Sequence, residues 1–212
     1  MKKGFFFVFE GLDGSGKGEM IRRLEEYLSA KLDKYCILTT AEPSSSQSGK
    51  RIRGILGGDH NPQSKGKELL ELYIKDRKGH VEKDIIPFLK KDGGNKVPVV
   101  LCDRYYYSTI AYQGLQGIPL NELLAKNKDF PKPDIAFILD VPAEVALKRI
   151  TISRGNTEKF EEIRFLTNLR KAFLSLQEVI PDNIKIVDAN REPEMVFEDI
   201  KNNVIALIIY VR

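Results

Sequence analysis

Residues 5–18 read FFFVFEGLDGSGKG, and a pattern typical of an amphipathic helix follows them. The run from Phe5 to Phe9 is continuously apolar, which is typical of a strand buried on both faces of a parallel sheet. Residues 11–18 then match the GxxxxGK pattern in its required place between a strand and a helix. Because glycines let consecutive backbone N–H groups face one anion at a helix N-terminus, this loop predicts a phosphate-binding site.

The predicted phosphate loop departs from the usual pattern at one position. Lys17 would bring its positive charge to the outer phosphates of a nucleotide, but the next residue is Gly18, where Ser or Thr commonly binds magnesium. We therefore expect water or a carboxylate, Asp103 or Glu42, to help hold the ion. The nucleotide-binding residues predicted in this loop are Gly11, Leu12, Asp13, Gly14, Ser15, Gly16, Lys17 and Gly18.

The composition is that of an ordinary globular protein. The 212 residues are 42% hydrophobic and 30% charged, which excludes disordered and collagen-like classes and suits one domain, residues 1–212. No apolar run approaches the ~20 residues that cross a bilayer, and basic residues alternate with acidic ones, so we expect neither a membrane nor nucleic acid as a partner. Cys36 and Cys102 lie in apolar runs, which favours free thiols and a cytoplasmic location.

Strand and helix patterns alternate along the whole chain. Four more apolar runs, at residues 36–40, 97–102, 135–139 and 184–187, complete a set of five predicted strands. Helical spacing covers residues 20–28, 67–90, 143–152, 160–179 and 193–208. This alternation predicts an α/β fold whose five-stranded parallel sheet has helices on both faces. Together with the phosphate loop at residues 11–18, it predicts a three-layer P-loop NTPase fold. Residues 44–48 and 153–159 are polar, and we expect them to be mobile loops.

Charged residues follow the predicted strands where ligands bind in open α/β sheets. Glu42 and Pro43 follow the second strand, and Asp103 and Arg104 follow the third. Arginine binds phosphate oxygens in pairs, so arginines near these ends are candidates to hold a transferring phosphate. The candidates are Arg77, Arg104, Arg149 and Arg154, of which the last two belong to a predicted lid at about residues 149–160.

Residues 103–114, DRYYYSTIAYQG, are similar to the DRYxxSxxAYQG signature of the thymidylate kinase family. The resemblance extends over essentially the whole chain. It includes FEGLDG at residues 9–14, Glu42-Pro43, the DRxxH pattern at residues 76–80 and LDVP at residues 139–142. It implies a kinase that transfers the terminal phosphate of ATP to dTMP with Mg²⁺, in dTTP synthesis, and that forms a homodimer.

The resemblance also implies roles for individual residues. Tyr73 would stack on thymine, Gln113 would read the base edge and Tyr105 would lie near the sugar, while Arg149 would lie near the adenine or the phosphates. The implied catalytic residues are Asp13, Lys17, Arg104 and Arg154. The implied acceptor-binding residues are Asp13, Glu42, Pro43, Tyr73, Arg77, Arg104, Tyr105, Thr109, Tyr112 and Gln113.

Several positions differ from the family pattern and leave alternatives open. The chain resembles the members with a lid arginine, because the phosphate loop has Gly14 where other members have an arginine. Ala41 replaces an arginine before Glu-Pro, residues 44–46 replace a glycine-rich continuation, and Lys159 replaces a second lid arginine. The alternatives are a kinase for UMP, dUMP or dCMP, or a non-catalytic nucleotide-binding protein that has lost the magnesium hydroxyl at Gly18.

Overall fold

The computed structural model describes residues 4–30, 34–58, 62–91, 94–154 and 159–210. Five parallel strands form one sheet in the order β2-β3-β1-β4-β5. The predicted strands and the predicted fold class are both confirmed. The strands are β1 (Phe5–Gly11), β2 (Tyr35–Ala41), β3 (Val97–Asp103), β4 (Ile135–Asp140) and β5 (Ile184–Asp188).

Helices connect the strands and cover both faces of the sheet. They are α1 (Lys17–Ser29), α2 (Gln47–Gly58), α3 (Gly66–His80), α4 (Ile86–Lys90), α5 (Tyr106–Leu115), α6 (Leu120–Asn127), α7 (Ala143–Arg154), α8 (Lys159–Val179) and α9 (Pro193–Tyr210). Helices α1 and α9 pack together on one side, and α5 and α8 pack together on the other. No helix in the ranges that the structure describes is long and apolar enough to cross a membrane.

The central strand β1 explains the apolar run that begins the chain. Every residue of β1 is buried because the strand lies between β3 and β4 and has helices on both faces. Cys102 is buried in β3, Cys36 is half-buried in the edge strand β2, and both thiols are free. A buried central strand places the phosphate loop at its carboxyl end, between two neighbouring strand ends.

The helical pattern at residues 67–90 is interrupted in the structure. Helix α3 ends at His80, a π-helical turn covers Val81–Ile85, and α4 then continues to Lys90. Sequence patterns did not predict α2, α5 or α6. The expectation of a mobile loop at residues 44–48 was wrong, because α2 already begins at Gln47 and Asp76 binds the serines before it.

We predict that the stability of the fold depends on the buried face of α1. Leu24 is 0% exposed, whereas Leu56 on α2 is 46% exposed. Leu24→Ala should lower the free energy of unfolding by about 2–5 kcal/mol because it removes buried methyl groups and leaves a cavity. Leu56→Ala is the matched control and should change it by less than about 0.5 kcal/mol. Urea titration of both variants measures the difference, and equal effects would contradict the assigned packing.

Candidate nucleotide-binding site

The phosphate loop connects β1 to α1 and is too tightly packed for side chains at two positions. Gly11 has a φ of 128°, and an added Cβ would lie 2.5 Å from the Leu139 carbonyl oxygen. Gly14 has a φ of 77°, and its Cβ would lie 2.6 Å from the Ala146 carbonyl oxygen. Only glycine suits both the left-handed backbone and the close approach. The loop therefore leads into the N-terminus of α1 as a compact turn, the arrangement that binds phosphate.

Lys17 begins α1 and folds back over the phosphate loop. Its Nζ donates hydrogen bonds to the carbonyl oxygens of Gly11 at 3.3 Å and Leu12 at 3.0 Å. Burial, followed by the charge of Arg104, lowers the pKa of Lys17 to about 8, although Asp103 and Asp13 act in the opposite direction. Anionic phosphates would favour the charged amine, so this lysine is suited to a polyphosphate ligand.

Arg104 joins the phosphate loop to α5. Its Nη2 donates to Asp13 Oδ1 at 2.7 Å, and its Nη1 donates to Ser108 Oγ at 2.8 Å. The guanidinium carbon lies 5.6 Å from the centre of the Tyr112 ring. The structure therefore brings together Asp13, Lys17 and Arg104, three of the four predicted catalytic residues.

A buried carboxylate that was not among the predicted site residues lies beneath Arg104. Glu10 accepts hydrogen bonds from the backbone N–H groups of Tyr105 at 2.8 Å and Ser108 at 3.2 Å, and from the Ser108 hydroxyl at 2.6 Å. Burial raises the pKa of Glu10 to about 7, although Arg104 and these hydrogen bonds lower it. The available signal in the sequence was an acidic residue inside an otherwise apolar strand.

Arg77 was predicted to line the acceptor pocket, but the structure encloses its side chain completely. The side chain is 0% exposed and donates to Glu42 Oε2 at 2.8 Å, Asn127 Oδ1 at 2.6 Å and Thr109 Oγ1 at 2.8 Å. Tyr105, predicted near the sugar, is equally buried, with the Arg77 guanidinium 5.3 Å from its ring centre. Neither side chain is exposed in this structure, and a direct role of either residue in acceptor binding stays a prediction.

The predicted base-binding residues lie where α3 packs against α5. Arg77 bonds Thr109 at one end of this contact, and at the other end a Cβ on Gly66 would lie 2.9 Å from the Gln116 side chain. Positions three and four apart share one face of a helix, so Tyr73 on α3 and Gln113 on α5 lie between these two contacts. Burial raises the pKa of Tyr73 to about 12, and its hydroxyl stays neutral.

Gln113 carries a buried acceptor that has no protein partner. Its Nε2 donates to Gln116 Oε1 at 3.1 Å. Its own Oε1 is buried and makes no hydrogen bond within the described part of the chain. A buried amide oxygen without a partner is costly, so a ligand N–H at this position would be bound favourably.

The segment after β2 is held against α3 by Asp76. This buried carboxylate accepts hydrogen bonds from the backbone N–H and the hydroxyl of Ser44, both at 2.6 Å, and from the hydroxyl of Ser46. Arg53 adds a hydrogen bond to the Pro43 carbonyl at 2.7 Å. These bonds fix Glu42 and Pro43, two predicted acceptor-binding residues, at the edge of the site.

Of the two carboxylates considered for magnesium, only Asp103 has a free oxygen. The Glu42 carboxylate is bound by Arg77, and His80 Nδ1 lies 3.2 Å from its other oxygen. Asp103 Oδ1 is buried and has no hydrogen-bond partner among the described residues. Asp103 and Gly18 line one cavity of about 390 Å³, together with Ile21, Arg22, Glu25, Thr39, Thr40 and Ala41.

The structure describes part of the predicted lid. Arg149 on α7 donates to the Gly14 carbonyl oxygen at 3.2 Å, which places it beside the phosphate loop. Arg154 is the last residue of α7, and its side chain and residues 155–158 lie outside the described residues, so its catalytic role stays a prediction. Sequence reasoning missed Arg170 on α8, which binds both oxygens of Asp140 at 2.6 and 2.8 Å.

A phosphate loop with a buried lysine and an arginine at the neighbouring strand end is typical of P-loop kinases. The family model for thymidylate kinase matches residues 9–200. A probable thymidylate kinase of Pyrococcus horikoshii is 38% identical over 211 residues, which cover 97% of this chain and 96% of that protein. A thymidylate kinase of Desulfotalea psychrophila is 40% identical over 175 residues, 82% of each chain. The chain belongs to the thymidylate kinase family and is a phosphotransferase.

We predict that nucleotide capture by the free protein weakens at alkaline pH. With the pKa of Lys17 lowered to about 8, its amine loses the positive charge that attracts phosphate as the pH rises through that value. Since kcat/KM reports ionisations of the free enzyme, kcat/KM for ATP should fall about tenfold per pH unit above this point. The control is kcat/KM for the acceptor measured at saturating ATP, which should not show this fall at alkaline pH. A flat ATP profile up to about pH 10 would contradict the prediction.

Proposed function

We propose that this protein transfers the terminal phosphoryl group of ATP to dTMP and releases ADP and dTDP. The observation that carries the proposal is the position of Arg104, whose guanidinium links Asp13 of the phosphate loop to Ser108 of α5. Such an arginine can contact donor and acceptor phosphates together. Membership of the thymidylate kinase family supports dTMP as the acceptor.

The transfer itself needs positioning and charge neutralisation more than covalent chemistry. A phosphate oxygen of dTMP would attack the terminal phosphorus of ATP, and the bond from that phosphorus to the bridging oxygen would break, leaving ADP. The attacking oxygen is already anionic, so no general base is required. Lys17 and Arg104 would offset the charge gathered on the transferring group, and we propose that Arg154 joins them from the lid.

Neither cysteine is required by this mechanism. Burial raises the pKa of Cys102 well above its usual value, and its thiol donates to the Arg104 carbonyl oxygen at 3.0 Å. A neutral, buried thiol is a poor nucleophile. Its contact with the backbone of Arg104 suits a structural role next to the site.

The carboxylate of Asp103 would help to hold Mg²⁺ beside the phosphate loop. Mg²⁺ is commonly held by one or two carboxylates, water and the substrate phosphates, and the free oxygen of Asp103 is the protein ligand available for this. When bound, the ion would neutralise charge on the ATP phosphates. No atom from outside its own helix backbone and chain neighbours lies within 4 Å of where a Cβ on Gly18 would be, so water can take the place of the hydroxyl that the usual motif provides.

The side chains where α3 packs against α5 would suit a pyrimidine with a hydrogen on N3. Thymine and uracil both donate from N3, and the partnerless Gln113 Oε1 would accept that hydrogen bond. Cytosine presents a lone pair at the same position, which would repel this oxygen. Tyr73 would stack on the base. This chemistry favours dTMP and dUMP over dCMP as acceptors.

We extend the proposal to the assembly and the location of the protein. Family membership supports a homodimer, to which the partly buried Phe88 or Leu89 would contribute, whereas Ile110, the third candidate, is buried in the core of the single chain. The two free thiols suit a reducing cytoplasm.

Release of ADP with a panel of monophosphates tests the proposed activity. With ATP and Mg²⁺, we expect turnover to be fastest with dTMP, slower with dUMP and slowest with dCMP. Lys17→Ala should lower kcat by roughly 100-fold or more, because one positive charge on the phosphates is lost, and leave the thermal unfolding midpoint nearly unchanged. Lys128→Ala, at an exposed position after α6, is the matched control. ADP release that requires no monophosphate, or full activity of Lys17→Ala, would reject the proposal.

A second measurement tests base recognition. Gln113→Leu removes the acceptor for N3–H, so the ratio of kcat/KM for dTMP to that for dCMP should fall roughly 10- to 100-fold. Gln177→Leu alters a glutamine on α8 that bonds the Ile184 carbonyl at the far edge of the sheet, and should leave this ratio unchanged. An unaltered ratio in Gln113→Leu would show that another group reads the base.

A further inference from the structure

We propose that Glu10 is a positioning residue that aims the Arg104 guanidinium at the acceptor phosphate through the hydroxyl of Ser108. The inference rests on the proposed function, in which Arg104 holds that phosphate. Glu10 lies on β1, Arg104 follows β3, and Ser108 lies in the first turn of α5. The three side chains form a continuous chain of hydrogen bonds from the sheet to the site.

The backbone at Arg104 has a conformation that requires support. Its φ of 68° is the only positive value at a non-glycine residue in the described part of the chain. A left-handed backbone costs an L-residue free energy and persists only where neighbouring contacts hold it. The N–H of Arg104 bonds the Phe9 carbonyl at 2.9 Å, and the next N–H, from Tyr105, bonds Glu10 at 2.8 Å. Glu10 therefore holds the turn from which the Arg104 side chain extends.

Glu10, which lies on β1, also caps the N-terminus of α5. Helix α5 has Tyr105 at its N-cap position, and that residue provides no side-chain cap. Oε1 of Glu10 accepts hydrogen bonds from the backbone N–H groups of Tyr105 and Ser108. At most helix N-termini, the side chain of the N-cap residue accepts a hydrogen bond from one of the first N–H groups. The carboxylate thereby fixes the start of α5 relative to β1, and Ser108 with it.

The second oxygen of Glu10 determines which way the Ser108 hydroxyl points. Oε2 accepts the Ser108 hydroxyl hydrogen at 2.6 Å. A serine hydroxyl has one hydrogen, so the lone pairs of Ser108 Oγ are left to face Arg104. A guanidinium can only donate, and Arg104 Nη1 does so at 2.8 Å while Nη2 donates to Asp13. Both Nη nitrogens of the guanidinium are thus held before any substrate binds.

The burial of Glu10 makes this arrangement sensitive to a conservative change. Its side chain is fully buried, and the positive charges of Arg104 and Lys17 act on it. Glutamine keeps the size and one carbonyl oxygen, so Glu10→Gln can retain the two backbone hydrogen bonds. Its amide nitrogen, however, donates to Ser108 Oγ and cannot accept the hydroxyl hydrogen, which loses its charged acceptor. The amide N–H then shares the lone pairs of Ser108 Oγ with Arg104 Nη1. The change therefore removes the acceptor that orients the hydroxyl and retains the cap.

Steady-state kinetics of Glu10→Gln tests the inference. We expect KM for dTMP to rise roughly tenfold, as one hydrogen bond to a charged group is lost, with KM for ATP within about twofold of wild type. Ser108→Ala should have the same effect. The double variant Glu10→Gln/Ser108→Ala should be no worse than either single variant, because both remove one connection.

Asp182→Asn is the matched control. Asp182 is a buried carboxylate that binds the hydroxyls of Tyr106 and Tyr107 near the start of α5 but does not contact Arg104 or Ser108. It should lower stability without changing KM for dTMP. An unchanged KM for dTMP in folded Glu10→Gln, or equal increases in both KM values, would overturn the inference.

Different results would reject the inference about Glu10 and the proposed transfer to dTMP. If Glu10→Gln does not fold, Ser108→Ala decides, and an unchanged KM for dTMP in that variant overturns the inference. If the wild-type protein does not phosphorylate dTMP, the proposed acceptor is wrong. The same comparison of KM values is then made with the monophosphate that the panel identifies, and equal effects on that acceptor and on ATP overturn the role of Glu10.

Discussion

The parallel pairing of β1 with β3 is the constraint on which the site depends. It places Phe9 opposite Asp103, and the Arg104 N–H continues the ladder by bonding the Phe9 carbonyl at 2.9 Å. The chain then leaves β1 as the phosphate loop and leaves β3 as the turn that begins α5. Two segments about 90 residues apart in sequence therefore begin side by side, and Arg104 reaches Asp13 across the short gap.

Buried charged side chains around this point are hydrogen-bonded to groups on other elements. Glu10 on β1 binds the start of α5, Glu42 after β2 binds Arg77 on α3, and Asp76 on α3 binds the serines that precede α2. Removing either Glu42 or Arg77 would leave an uncompensated buried charge, which costs several kcal/mol. These contacts hold the predicted acceptor-binding residues in place without a substrate, and such preorganisation reduces the ordering cost of catalysis.

The segment after β2 shows where local patterns were insufficient. Its serines and its lack of apolar residues are typical of a mobile loop, yet α2 begins at Gln47 and Asp76 holds Ser44. The partner lies 32 residues away, so no local pattern contains it. The same holds for Asp140, whose partner Arg170 is 30 residues further along the chain. Short helices such as α6 were also missed, because few turns carry little periodic signal.

The sequence by itself determined the five strands, the phosphate loop and the family, because apolar runs, glycine spacing and residues 103–114 are local features. It also identified Lys17, Arg104 and Asp13 as residues that meet in one site. Only the tertiary structure decided which polar groups are already satisfied. Arg77 bonds Glu42, Asn127 and Thr109 from three separate segments, whereas Gln113 Oε1 and Asp103 Oδ1 have no partner in the described residues. Hydrogen bonding depends on distance in space, and that distance is set by packing across the whole chain.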